Sequence, residues 1–174
     1  GRRLIDVAGE PANGILCAFT DGASIEGVTV SNPQSFNLAL GQSRNVTVRD
    51  FKCFSSFGAA DGINIKACRN ITVEDSFVRS NDDAVSVYAT SVSYLGGTSD
   101  VTVRGSTLIS DAGHVVMTGI HGQEYGDEII ERLRVEDVDM VDSKSWSPDY
   151  QGVMAVNAGN DVTVRDVEFR NIRV

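Results

Sequence analysis

Asn45-Val46-Thr47-Val48-Arg49-Asp50 returns, barely altered, as Asn70-Ile71-Thr72-Val73-Glu74-Asp75 and as Asp100-Val101-Thr102-Val103-Arg104-Gly105. A looser copy stands at Arg132-Leu133-Arg134-Val135-Glu136-Asp137, and another at Asp161-Val162-Thr163-Val164-Arg165-Asp166. Gly27-Val28-Thr29-Val30-Ser31-Asn32 reads as the first copy. The leading apolar residues fall at 28, 46, 71, 101, 133 and 162, at intervals of 18, 25, 30, 32 and 29. A second series lies between them: Phe36 to Leu40, Gly62 to Ile65, Ala84 to Val87, His114 to Thr118 and Gly152 to Val156. Both series alternate apolar and polar residues, the mark of a half-buried strand. A third apolar patch follows several first strands, as at Phe51 to Phe54, Phe77-Val78 and Leu108-Ile109.

Strands this short cannot bury a face alone, but coils stacked on one another can. The expected fold is therefore all-β: a right-handed parallel β-helix of about five to six coils, residues 1–174 forming one domain. A β-sandwich also has many short strands, but it does not call for near-copies of one segment at a drifting period. Both ends read as cut from a longer protein, because neither carries a polar cap. Asn45, Asn70, Asp100 and Asp161 hold one slot before the strand, where short polar side chains tolerate turn geometry.

Composition narrows the function. The chain has 174 residues, 41% of them hydrophobic, with 17 glycines, 3 prolines and a net charge of −9. Its arginines are scattered among acids, so a basic nucleic-acid surface is not expected. No run is long and apolar enough to span a membrane. The three cysteines, Cys17, Cys53 and Cys68, match no zinc spacing and read as buried space-filling thiols. No metal and no cofactor is implied, and oligomeric state is not readable.

The chemistry gathers on the second series. Ala60-Asp61-Gly62 and Asn81-Asp82-Asp83-Ala84 each place carboxylates just before a strand, 21 and 22 residues apart, about one coil. Aligned on those strands, Asp61, Asp83, His114 and Gln151 form one column, with Asp82 beside it and coils about 4.8 Å apart. Parity puts Ile63, Ile65, Val85 and Val87 inside, and Asn64 and Ser86 outside. Clustered carboxylates push one another's pKa values up, which suits acid–base catalysis better than structure. The bland alternative is an aspartate-rich turn. Two long insertions supply candidate ligand contacts: residues 119–128, with His121, Glu124 and Tyr125, and residues 142–151, with Lys144, Trp146 and Tyr150. Loops on a rigid scaffold commonly hold such contacts, and an aromatic face suits a sugar ring. Tyr88 and Tyr94 are weaker candidates.

These motifs resemble those of polygalacturonases, glycoside hydrolase family 28. Asp61-Gly62 is similar to the end of their Asn-Thr-Asp-Gly motif, Asn81-Asp82-Asp83-Ala84 to Gly-Asp-Asp-Cys, and Gly113-His114-Val115 to Gly-His-Gly. The second also resembles the family 49 dextranases and isopullulanases. The resemblance runs over about residues 23–174 and implies an inverting glycosidase acting on a carbohydrate, secreted or periplasmic. In that reading Asp82 is the general acid, Asp61 and Asp83 hold and activate the water, and His114 bonds the acid or the substrate. Asn64, Ser86, His121, Tyr125, Trp146 and Tyr150 are the expected substrate contacts. The family's Arg-Ile-Lys motif falls at Met154-Ala155-Val156, which carries no charge. A neutral sugar, or an acidic sugar bound in another way, is therefore expected. Two further readings stay open: a non-catalytic β-helix module, and a calcium-dependent polysaccharide lyase.

Overall fold

The computed structural model describes residues 3–6, 12–123, 126–144 and 152–174. Every strand ladder is parallel, and no helix occurs among the described residues. The strands lie on three faces of a parallel β-helix. The first face holds Asp21–Glu26, Arg44–Arg49, Arg69–Glu74, Thr98–Arg104, the start of Ile129–Ser143, and Thr163–Arg173. The second stacks Ile15–Ala18, Leu38–Gly41, Ile63–Lys66, Val85–Tyr88, Val116–Gly119 and Met154–Asn157, which makes six coils. The third stacks Arg3–Asp6, Val28–Ser31, Lys52–Phe54, Phe77–Ser80, Thr107–Ser110 and the end of Ile129–Ser143.

The alternation in the sequence becomes a dry column inside. Leu38, Ile63, Val85 and Val116 stack on the second face, with Leu40, Ile65 and Val87 beside them, against Val46, Ile71, Val101 and Leu133 of the first. These side chains are almost fully buried. Each coil's apolar set is incomplete without the coils above and below, which is why the repeat has to stack.

The turn slot before the first strands behaves as expected. Asn45, Asn70, Asp100 and Asp161 all have left-handed φ, between 56° and 60°, and Arg132 shares the slot at 54°. The side chains bond along the stack: Asn70 Nδ2 donates to Asn45 Oδ1 and Asn45 Nδ2 to Asp21 Oδ1, both at 2.7 Å. On the outer surface of the first face, acids meet arginines. Glu74 lies between Arg49 (2.6 Å) and Arg104 (2.5 Å), Asp100 pairs with Arg132 (2.6 Å), and Glu131 with Arg165 (2.5 Å). The three cysteines are free thiols, two of them buried, in keeping with a space-filling role.

Two registers differ from the sequence alignment. Val28-Thr29-Val30 belongs to the third face, where Val30 lies opposite Cys53. The first-face copy in that coil is Ala23-Ser24-Ile25, opposite Val46-Thr47-Val48. Two faces with the same alternation, joined at Gly27 with a φ of 66°, are easily exchanged. In the fourth aligned coil Val116 pairs with Met154 rather than Val153. Val153 O accepts from both Val115 N and Val116 N, at 2.9 and 3.2 Å, which absorbs one residue. The one-to-one count from Val116 back to His114 is therefore broken, and Gln151, the residue the alignment set opposite His114, lies outside the described residues.

Candidate active site

Asp61 and Asp83 each sit two residues before paired core positions, Ile63 and Val85. His114 sits two before Val116, opposite Val85. The expected column of Asp61, Asp83 and His114 is thus formed, locked by Gly62 N–H to Asp83 O (2.8 Å) and Ala84 N–H to His114 O (2.9 Å). Glycine is required twice. A Cβ on Gly62 would meet Ala84 O at 2.4 Å and Val78 Cγ1 at 2.3 Å; one on Gly113 would meet Asp82 Oδ1 at 2.5 Å and Asp83 N at 2.8 Å. These contacts explain the glycines in Asp61-Gly62 and Gly113-His114 as packing necessities.

One carboxylate oxygen from each of Asp61, Asp82 and Asp83 lies within 4.8 Å of the others. Asp61 and Asp83 are buried, while Asp82 is half-buried and faces the cleft. Asp61 Oδ2 accepts from Asn64 Nδ2 (2.5 Å) and Ser86 Oγ (3.0 Å). Asp83 accepts from His114 N–H (2.8 Å) and the Tyr88 hydroxyl (3.1 Å), and His114 Nδ1 stands 3.2 Å from its Oδ1. That last geometry fits an imidazole protonated on Nδ1. Burial, then the charges of Asp83 and Asp82, pushes the Asp61 carboxyl up to about 8, against the pull of Asn64 and Ser86. Burial and Asp83 also raise Asp82. Three oxygens this close could hold a hard cation, although Asp61 already commits Oδ2 to two donors. They can equally share a proton that two of them cannot give up together.

Four expected residues, Asp61, Asp82, Asp83 and His114, are brought together, and His114 bonds Asp83. Asn64 and Ser86 point out of the coil as parity requires, yet both are fully buried as donors to Asp61. Tyr88, also on the outward side, reaches back along its strand to Asp83, so the floor of the cleft is covered. His121 stands at the exposed rim with its ring edge-on to Tyr88, centroids 4.8 Å apart. Tyr94 packs on Phe19 instead, 5.7 Å between centroids. Tyr125, Trp146 and Tyr150 lie outside the described residues, as does Glu124. The sequence reading undervalued Tyr88. Its signal was the outward parity it shares with Ser86, two residues before it. Lys66 and Phe36 also line this cleft of about 530 Å³.

Fold and site together define a parallel β-helix with a carboxylate centre at the edge of its second face. The chain belongs to the glycosyl hydrolases family 28, whose profile matches residues 9–174. It is 26% identical over 161 residues to a probable polygalacturonase of Vitis vinifera, covering 89% of this chain and 32% of that protein. It is 25% identical over 157 residues to an exopolygalacturonase of Arabidopsis thaliana, covering 85% and 32%. The chain thus spans about a third of the length of these curated relatives. A polygalacturonase from Erwinia carotovora ssp. carotovora shares the fold, with a TM-score of 0.59, 14% identity, and coverage of 92% of this chain and 56% of that one.

Proposed function

We propose that this protein hydrolyses a glycosidic bond in a polysaccharide or oligosaccharide, with inversion at the anomeric carbon. The carrying observation is the carboxyl trio: two buried acids behind a half-buried third that faces the cleft. Asp82 gives its proton to the leaving oxygen as the C–O bond breaks. Water attacks the opposite side of the anomeric carbon and loses its proton to Asp83, which His114 and Tyr88 hold in place. Asp61, neutral near pH 7 by its raised pKa, orients that water through a hydrogen bond rather than deprotonating it. This refines the role expected for Asp61, since a protonated carboxyl is no base. Family membership supports the reading, as do relatives named as polygalacturonases. An extracellular location follows from a polysaccharide substrate.

Inverting carboxyl pairs usually stand about 6.5–9.5 Å apart and retaining pairs about 5–5.5 Å. The nearest oxygens here are within 4.8 Å, so stereochemistry is the sharpest test. Proton NMR of the first product should show the anomer opposite to the substrate linkage; a retained configuration overturns the assignment. Asp82→Asn should lower turnover by about 10²- to 10⁴-fold while the circular dichroism spectrum and melting curve stay those of the wild type.

A further inference from the structure

A second groove, of about 730 Å³, opens at the other end of the second-face strands from Asp61. Its floor is the turn that follows those strands. Phe19, Gln42 and Ala67 stack there, all left-handed, with φ of 55°, 42° and 51°. Their N–H groups donate along the stack, Phe19 to Gly41 O and Gln42 to Lys66 O at 2.9 Å, and Ala67 to Tyr88 O at 3.2 Å. The turn sets that backbone for whatever residue stands in it, but it does not call for an aromatic one. Phe19 nonetheless stands there 70% exposed. Its ring is backed by Tyr94, with 5.7 Å between centroids and the planes inclined by 53°.

Tyr94 belongs to residues 89–97, which replace the short turn in the coil of Tyr88. This loop is tied down by Gly96 N–H to Thr90 Oγ1 (2.8 Å) and by the Thr90 hydroxyl to Glu128. It folds back over the earlier coils: a Cβ on Gly41 would meet the Tyr94 ring at 2.4 Å. Thr90, Ser91 and Val92 of the loop line the carboxylate cleft, while Gly97 lines the groove. One loop is therefore a wall of both. From Asp61 to Ala67 the strand covers about 20 Å, a span that an extended sugar chain can bridge.

The polar lining has no surplus charge to offer. Arg44 is held by Asp21 at 2.7 Å, and Glu131 by Arg165 at 2.5 Å. Arg69 has a 3.3 Å bond to Ser99 and a loose ion pair with Asp100 at 3.8 Å. The side chains of Gln42 and Asp127 have no partner among the described residues. Open donors and acceptors thus stand together beside an aromatic corner. Hydroxyl groups, which both donate and accept, suit that set, and the C–H face of a sugar ring suits Phe19. An ion would be served by groups of one sign.

We infer that this groove is a second saccharide-binding site, which holds a stretch of polysaccharide chain remote from the carboxylate centre. Phe19 is its platform, and Gln42, Arg69 and Asp127 are its hydroxyl partners. The inference rests on the hydrolase reading and goes beyond it, because the second site gives the protein a preference for long chains.

The test uses the full chain carrying Asp82→Asn, so that the polymer survives, in native gels cast with polygalacturonate, methyl-esterified pectin, xylan or dextran. At least one polymer should retard the protein. On that polymer Phe19→Ala should weaken the apparent affinity by about fivefold and Phe19→Trp should keep it. Raising salt should change it by less than about twofold. With Asp82 restored, Phe19→Ala should raise KM on the polymer and leave kcat and KM on its trisaccharide unchanged. The inference falls if none of the four polymers retards the protein, if Phe19→Ala is retarded as before, or if it loses the trisaccharide equally. If Phe19→Ala melts below the wild type, Gln42→Ala takes its place with the same expected direction. Retardation that depends on Phe19 without hydrolysis of any of the polymers overturns the hydrolase reading alone. Hydrolysis with the length preference intact in Phe19→Ala overturns the second site alone.

Discussion

Asp100 and Asp61 are the same residue on two edges of one coil stack, and their surroundings drive them in opposite directions. Asp100, at the turn before the first face, is bonded by Arg132, which holds its carboxyl down at about 2. Asp61, at the edge of the second face, has neutral donors and two more carboxyls, and burial pushes it up to about 8. On the first face acids are matched with arginines from adjacent coils, as at Glu74 and Glu131. The edge at Asp61 gathers acids with no arginine among the described residues beside them. Stacking concentrates charge on both edges alike. Only the choice of neighbour decides whether the stack makes a seam of ion pairs or a store of protons.

The comparison can be broken most directly at Gly113. A methyl group there collides with Asp82 and Asp83, so Gly113→Ala should cut turnover by about 100-fold, the scale of a displacement near 1 Å in a catalytic group. Initial-rate assays beside a melting curve check it; unchanged turnover would mean that the trio tolerates movement.

The next effect is thermal and has opposite signs on the two edges. Asp61 has a folded pKa above its unfolded value of about 3.9. Its favourable contribution is full below that value and is lost as pH rises through about 8. Asp61→Asn should therefore flatten the fall of Tm over that interval and raise Tm at pH 8 by about 5 °C. Asp100 has a folded pKa below the unfolded value, so its contribution is present above about pH 4 and is lost as pH falls through about 2. Asp100→Asn should lower Tm at pH 7 slightly, the ion pair being largely exposed, and the loss should fade in acid. Parallel slopes in the two variants would erase the contrast.

The smallest effect lies in the turn slot. Asn70 has a φ of 56° and bonds Asn45. Asn70→Ala should cost about 1 kcal/mol in urea unfolding, because the left-handed region penalises a Cβ without a local polar bond; Asn70→Gly should cost less.

Much of this was legible because it is local. Alternation, turn residues and repeat spacing are properties of single coils, so the stack and the Asp61, Asp83 and His114 column could be read from the chain. Gly27 and Gly152 mark where the reading slipped: one joins two faces of like pattern, and the other precedes an absorbed residue. The burial of Asn64 and Ser86 was not legible, since strand parity turns Tyr88 outward but does not report that its hydroxyl reaches back to Asp83 over the floor of the cleft. Lys66 is a similar case. Strand periodicity gave its outward parity, but only the structure shows that the cleft extends that far along the strand.

The stacking also permits an order of events during synthesis. Val85 pairs with Ile63, 22 positions earlier, and with Val116, 31 positions later. Pairing partners stay about one coil apart however long the chain grows, so each coil can dock on the one before it as it leaves the ribosome. The carboxyl trio is complete once the coil carrying Asp83 has docked. His114 arrives one coil later and sets its imidazole against Asp83. Built in that order, the stack gathers its three carboxyls before the histidine that orients one of them.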